Sequence, residues 1–495
     1  MTNPIAWIAV TAWIVASIVL ARRALHRSTT AEDFATGGGA IPPWVVGLSL
    51  TAQLTSVATF VINPGLVFQA GVSGLLGYGV AAALGITAGL VLFSVRFRRM
   101  GARVQALTVP GWIGARFDSD ALRGVFSALS FGLVAYAVLI VVALGYVLGA
   151  LLGVSATAAA IGVAVFSVGF VALGGAHAHA RTNAIQAVMM LIVAVVLISR
   201  GLPALFAEPG LFATLRAEDP ALTAAVNPGS LYFRTWFEVF VCNALVGVAV
   251  VCQPHILGKS LYLKDDRDVR RMLGVAVAAG LVFLGVLWVG LYARAVVPVG
   301  TPIDRVVPTW IAMSFSPALQ VVISLGLLAA GLSTLEGILL ALCAIVGIDV
   351  VPLVRRAWGG SGTADAASMR WGRGALLAVG VVTVALAHRQ IADPTGGSVA
   401  IFAQYGVYLL FTASLWPLIG GMFLGAFVNR RVAGAAALLS IAGYVAAGAA
   451  EFTMLHTNPA FLATCGMSLG ALPVAAAWAA HRATNHGLVE RAVAS

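Results

Sequence analysis

Long apolar runs of membrane-crossing length alternate with short basic segments along the chain, and one run carries its own interruption. Residues 48–71, LSLTAQLTSVATFVINPGLVFQAG, are apolar at both ends, yet their middle holds Gln53, Thr55, Ser56 and Thr59, followed by Asn63-Pro64-Gly65. In hydrocarbon an unpaired backbone group costs several kcal/mol, so broken backbone at membrane depth survives only where protein or a water-lined cavity surrounds it. The pattern predicts a discontinuous helix, interrupted at Asn63-Pro64-Gly65, that lines an ion or solute cavity. An ordinary proline kink would carry the same residues.

Apolar patterning places spans at 5–21, 44–70, 74–95, 124–150, 153–173, 183–200, 236–256, 272–293, from near Trp310 to Asp349, then 375–390, 399–427, 433–450 and 459–481. The run ending at Asp349 exceeds the roughly 20 residues a crossing needs, so it is long, tilted or preceded by a surface helix. Residues 108–123 read as a short interfacial helix, and 201–233 as an outer loop with one short helix. The first span has no basic segment before it and Arg22-Arg23 after it, which suits a retained helix with its N-terminus outside. Thirteen spans then leave the C-terminus inside. Of 29 Lys and Arg residues, only Arg200, Arg216, Arg234, Arg294, Arg305 and Arg389 fall on the outer side, an asymmetry that supports this orientation.

Composition narrows the class further. With 60% hydrophobic and 9% charged residues and a mean hydropathy of +0.99, the chain reads as an all-α polytopic membrane protein in the cell membrane, not a soluble domain. The net charge of +11 sits in short clusters between apolar runs, so the lipid bilayer is an expected partner and nucleic acid is not. Four cysteines, Cys242, Cys252, Cys343 and Cys465, lie inside apolar segments without paired spacing, which points to packing and not to zinc or disulfides. His177-x-His179 is the one candidate metal pair for an enzyme; without a third ligand it reads as a solvated cytoplasmic turn, and no enzyme is expected. Nothing resembles the pore-loop filter of a channel.

Six segments occur in an order that carries more than any of them alone: AEDFATGGGAIPPWVVGLSL (31–50), SVATFVINPGLVFQAG (56–71), LTVPGWIGARF (107–117), GGAHAHARTNAIQ (174–186), CQPHILGKSLYLKDDRDVRR (252–271) and AAGLSTLEGILLALCAIVGIDVV (329–351). Together they resemble landmarks of the sodium:solute symporter family, nearest in pattern to its monocarboxylate and pantothenate branches. The resemblance implies a leucine-transporter-like core of two five-helix inverted repeats. The first would occupy 44–200 and the second 236–428, with an extra helix and loop at 1–43, an outer loop at 201–235, and two accessory helices and a tail at 429–495. The second repeat would open with an interruption at Asn243 and Gly247, and paired interruptions are the expected sign of a midplane site.

The same resemblance implies a coupling sodium ion held by the carbonyls of Ala52, Thr55 and Ala330 and the hydroxyls of Ser333 and Thr334, with no organic cofactor. Hydroxyls also bond helices together in membranes. Family members commonly carry aspartate where this chain has Asn183, whereas Glu336 stands where a small hydroxyl residue is usual. Of the 18 acidic residues, Glu336 alone falls well inside a span, with Glu238 and Glu451 near span ends. An intramembrane carboxylate is costly and functional by default, so Glu336 is expected to replace the missing aspartate, as outer-shell charge or as a protonatable group; a protonated structural glutamate is the alternative.

Solute contacts are expected from Ser56, Thr59, Phe60, Gln69 and Asn243, since hydroxyls and free N–H groups at a half-helix terminus suit a carboxylate. The expected activity is sodium-coupled symport of a small carboxylate such as a monocarboxylate or pantothenate-like anion. Proton coupling through Glu336 and symport of a neutral sugar or amino acid are the alternatives. The sequence leaves oligomeric state open, a monomer included.

Overall fold

The computed structural model describes residues 4–25, 30–360, 362–393, 399–450 and 453–494, and every regular element among them is helical. Among the described residues nine helices are long and apolar enough to cross a membrane, or up to eleven if each of two bent pairs is one span. In chain order we label α1 (Pro4–Leu25), α2 (Pro43–Leu54), α3 (Ala58–Ala70), α4 (Val72–Val104), α5 (Asp120–Leu152) and α6 (Ala156–Phe206). Then follow α7 (Phe237–Val250), α8 (Pro254–Tyr262), α9 (Asp266–Arg294), α10 (Ile303–Ser314) and α11 (Pro317–Ala357). The chain finishes with α12 (Ala366–Ala392), α13 (Val399–Phe423), α14 (Arg430–Gly448) and α15 (Pro459–Thr484). Glu451 lies outside the described residues.

Both bent pairs exist, but neither breaks where the pattern placed it. The α2–α3 pair bends by 50° at Thr55–Val57, where Thr55 leaves the helical region with φ −104°, ψ 70°, eight residues before Asn63-Pro64-Gly65. Ser56 starts the second half: its hydroxyl accepts from the Ala58 N–H at 3.1 Å and its carbonyl from the Thr59 N–H at 2.9 Å. Hydroxyl side chains compete for backbone partners in this way, which is why they favour helix ends. Pro64 is instead absorbed by a wide π-turn over Ala58–Ile62 immediately before it. Such a turn opens the register that a proline would otherwise clash with. Gly65 is a packing residue, since a Cβ there would stand 2.1 Å from the Ile303 carbonyl oxygen on α10.

In the second pair the bend is 57° and falls between Val250 and Pro254, not at Asn243 or Gly247. Pro254 drives the preceding Gln253 into extended backbone (φ −66°, ψ 138°), the restriction that proline imposes on its predecessor. The Asn243 side-chain N–H donates to the Glu238 carbonyl at 2.8 Å, closing the π-turn of Phe237–Cys242. Gly247 lets two backbones meet: a Cβ there would lie 2.2 Å from the Ala82 carbonyl oxygen, and one at Gly85 would lie 2.2 Å from that of Ala244. Helices α4 and α7 therefore interlock through paired glycines.

Three further differences bear on function. Helix α6 runs for 51 residues and is split at Gly175 (φ 58°, ψ −162°), a conformation reserved for glycine. His177 and His179 just beyond it are buried, 5% and 1% exposed, where a solvated turn was expected. The short helix Val109–Phe117 tucks Trp112 wholly inside, stacked on Phe97, so it is not a surface helix. Asp349 and Glu238 join Glu336 as buried carboxylates, all 0% exposed. Asp349 accepts from Thr108 at 2.6 Å and Arg123 at 2.7 Å, and Glu238 from Arg234 at 2.6 Å and Asn458 at 2.9 Å. The stretch before α11 does form a separate short helix, α10, and the outer segment contains one at Leu211–Glu218.

Substituting Gly247→Ala is expected to force α4 and α7 apart and cost about 1–3 kcal/mol, the usual range for overpacking. Thermal unfolding of the detergent-purified protein checks this; an unchanged transition would contradict the interlock.

Candidate functional site

Where α2 ends, its last carbonyls lose their intrahelical partners, and α11 supplies replacements. The Ser333 hydroxyl reaches the Ala52 carbonyl at 2.9 Å and the Ala330 carbonyl at 2.8 Å. The neighbouring Thr334 hydroxyl donates to the Gln53 carbonyl at 3.2 Å and lies 3.5 Å from that of Ala330. Ala52, Ala330, Ser333 and Thr334 are all 0% exposed. Four of the five expected sodium ligands thus meet in one buried cluster of neutral oxygens, while Thr55 occupies the break itself. Hard, uncharged oxygens at the negative end of a half-helix fit a small cation.

Beside this cluster lies a group of buried polar side chains centred on His179, a residue that sequence reasoning dismissed. The Gln53 and Asn183 amides lie 2.9 and 3.3 Å from His179 Nε2. With both amides donating, the ring proton sits on Nδ1, which faces Glu336 Oε2 at 3.7 Å. Asn183 also donates to the Ser333 carbonyl at 3.2 Å, tying the imidazole to the turn that bears the hydroxyl pair. Neither Glu336 oxygen has a hydrogen-bond partner among the described residues. Asn183 and Glu336 are therefore joined through one imidazole. The signal was the pair of histidines just before Asn183, but nothing local in the sequence marks them as buried.

Gln53 crosses to His179 only because Gly337 has no side chain: a Cβ there would lie 1.6 Å from Gln53 Nε2. On its other side Gln53 borders a cavity of about 270 Å³ enclosed by both discontinuous helices, α4, α9 and α13. Its polar lining includes Thr55, Thr59, Asn63, Tyr78, Asn243 and Gln404, and none of its lining residues is charged. Thr59 and Asn243 are thus brought to the cavity. Ser56 stands just behind it, bonded to the Tyr136 hydroxyl at 2.6 Å, and Tyr136 lines the wall. Phe60 packs in the core, edge-on to Phe283 with centroids 5.9 Å apart, and Gln69 borders a separate pocket with Arg294. Tyr78 and Gln404, 3.5 Å apart, were not anticipated; they come from helices whose relation no local pattern reveals.

Comparison with known proteins supplies the context. A model of the sodium:solute symporter family matches residues 34–443. Among curated relatives, the sodium/pantothenate symporters of Haemophilus influenzae and Escherichia coli K12 are 24% and 28% identical, over 62% and 57% of this chain. The matches span 64% and 58% of those relatives' own lengths. The osmoregulated proline transporter OpuE of Bacillus subtilis is 25% identical over 84% of this chain and 86% of its own. A solved structure of a Na+-coupled sialic acid symporter in a substrate-bound outward-open state superposes with a TM-score of 0.74 at 17% identity, covering 95% of this chain and 96% of that one. Mhp1, a nucleobase-cation-symport-1 family transporter, gives a TM-score of 0.50 at 14% identity over 88% and 92% of the two chains. These last two likenesses concern the fold alone.

A methyl group at position 337 must displace Gln53, so Gly337→Ala is expected to lower stability by about 1–3 kcal/mol. Adding Gln53→Ala should restore part of that loss, because the two side chains compete for one space. A double-mutant cycle read by thermal unfolding tests the pair; additive losses would contradict it.

Proposed function

The chain belongs to the sodium:solute symporter family, as a multi-pass membrane protein, and on that premise we propose that it is a sodium-coupled symporter of a small organic solute working by alternating access. One observation carries this reading: the hydroxyl pair Ser333-Thr334 closes on the freed carbonyls of α2 beside a 270 Å³ cavity that both discontinuous helices border. Sodium would be held by Ala52, Thr55 and Ala330 carbonyls with the Ser333 and Thr334 hydroxyls. Binding it requires those hydroxyls to release the carbonyls they now hold and turn their lone pairs inward, parting oxygens that are hydrogen-bonded in this structure. Taking α6 as two spans at Gly175, each bent pair as one, and counting α1 gives thirteen crossings with the N-terminus outside. The inverted repeats would then span 44–200 and 236–428.

The solute we favour is a carboxylate with an apolar body. Amide and phenol donors of Asn63, Asn243, Tyr78 and Gln404 can hold its head, and the aliphatic wall its body. The absence of any charged residue from the lining supports two readings. Either the sodium ion supplies the counter-charge for a carboxylate, or the solute is neutral. Energetics separate them. One cation moving through about 100 mV and a tenfold gradient yields roughly 2.3 plus 1.4 kcal/mol. That suffices for several-hundredfold accumulation of a neutral solute, but for a monoanion carried one to one the voltage part cancels and only about tenfold remains. Glu336 is assigned as a charge outside the ligand set that offsets part of the sodium's charge through His179 and Asn183.

Thermal-shift measurements with sodium against potassium or choline at fixed ionic strength, followed by carboxylates, sugars and amino acids, test the whole reading, because a ligand of the folded state alone raises its apparent stability. Sodium-specific stabilisation is expected, lost in Ser333→Ala, and sharpened by one solute class. Stabilisation by a solute that follows pH and ignores sodium would overturn sodium coupling in favour of a proton. Glu336→Gln is expected to weaken the sodium effect while leaving expression intact; an unaltered sodium response would remove Glu336 from coupling.

A further inference from the structure

A second, much smaller cavity lies on the far side of Gln53, which lines both. Its volume is about 30 Å³, room for roughly two water molecules and therefore for a carboxylate head or a single halide, not for a whole solute. Where the larger cavity is uncharged, this one is bordered by Lys259, His255 and His179. His255 and Lys259, four residues apart on α8, border this one cavity together with Gln53, and Lys259 reaches Ser49, four residues before Gln53 on α2. Thr108 and Leu107, in the loop assigned to the cytoplasmic side, line the same cavity.

Lys259 is 2% exposed. Its ammonium donates to the Ser49 hydroxyl at 2.9 Å and sits 4.7 Å from the centre of the Tyr262 ring, and among the described residues no carboxylate pairs with it. His255 is 4% exposed, and both its ring nitrogens lack a hydrogen-bond partner among the described residues. Two acidic groups stand behind the lining: Glu336 faces His179 on the side opposite Gln53, and Asp349 accepts from Thr108 and is paired with Arg123. A buried ammonium that keeps its charge needs an anion or a full set of acceptors. Here one hydroxyl serves three N–H donors, and an unpartnered imidazole stands beside them.

We propose that the inner cavity is an anion station, in which Lys259 and His255 receive a small monovalent anion: the carboxylate head of the solute as it leaves the larger cavity, or chloride. The station is the cationic counterpart that the larger cavity lacks. As a carboxylate stop it rests on the carboxylate reading above; as a halide site it does not. Gln53, the shared wall, must swing off His179 for a head group to pass.

The test is an anion titration of the purified full-length protein at fixed sodium, with gluconate as the background anion, adding chloride, acetate or pyruvate and reading apparent stability. Saturable stabilisation of the wild type is expected. In Lys259→Gln its midpoint should rise about tenfold or more, the scale of a lost charge-assisted hydrogen bond, and Lys259→Arg should retain most of it. The sodium response, which depends on Ser333, should persist in both. Stabilisation by acetate and pyruvate, lost in Lys259→Gln, supports the station and the carboxylate solute together. Stabilisation by chloride alone, lost in the same variant, supports the station and overturns its role as a carboxylate stop. Absence of any saturable effect in the wild type overturns the station with no variant needed, and equal stabilisation of the wild type and Lys259→Gln overturns it as well.

Discussion

A backbone carbonyl released from its helix inside a membrane has to find another partner, and this molecule is arranged around where that release happens. At the end of α2 the Ala52 and Gln53 carbonyls turn to the Ser333 and Thr334 hydroxyls of α11. At the proposed sodium site, helix integrity and ion coordination would be alternative uses of one set of oxygens. A hydroxyl suits this exchange because it can donate to a carbonyl in one state and present a lone pair in the other. An amide or a carboxylate at 333 could not do both without leaving a buried mismatch.

Charge is sorted with equal care around this point. The larger cavity is uncharged, while Glu336, His179, His255 and Lys259 are gathered behind Gln53. With no charged residue among the described lining, an ion bound at the proposed site would be the strongest local field acting on a solute there. Farther along α11, Asp349 is held by Thr108 and Arg123, which anchors the end of that helix to the helix Val109–Phe117 and the start of α5.

Much of this was legible in the sequence. Span positions followed from apolar run length and the interrupted helices from residue type within those runs, while the hydroxyl pair followed from the family resemblance. The breaks themselves were misplaced for a specific reason. Pro64 looked like the breaker, but a π-turn absorbs it, while the effective interruption at Thr55–Val57 carries only hydroxyl and small residues. In the second pair Pro254 was the signal, acting on Gln253 before it, and Asn243 and Gly247 diverted attention from it. His179 could not be recovered locally, because its burial depends on α2 and α11 arriving from 126 residues before it and from far downstream. The same holds for Asp349, whose cation lies 226 residues away in Arg123.

The interlocked glycines of α4 and α7 carry a mechanical implication. With each backbone seated against the other at Gly85 and Gly247, the two helices have little freedom to slide or roll past one another. A rocking motion must therefore carry them as one stiff beam. The compliant joints are left at Thr55–Val57 and between Val250 and Pro254, the two places where helical hydrogen bonding lapses. Any displacement of α2 is then delivered to a lever whose pivots and rigid arm are both written into the backbone.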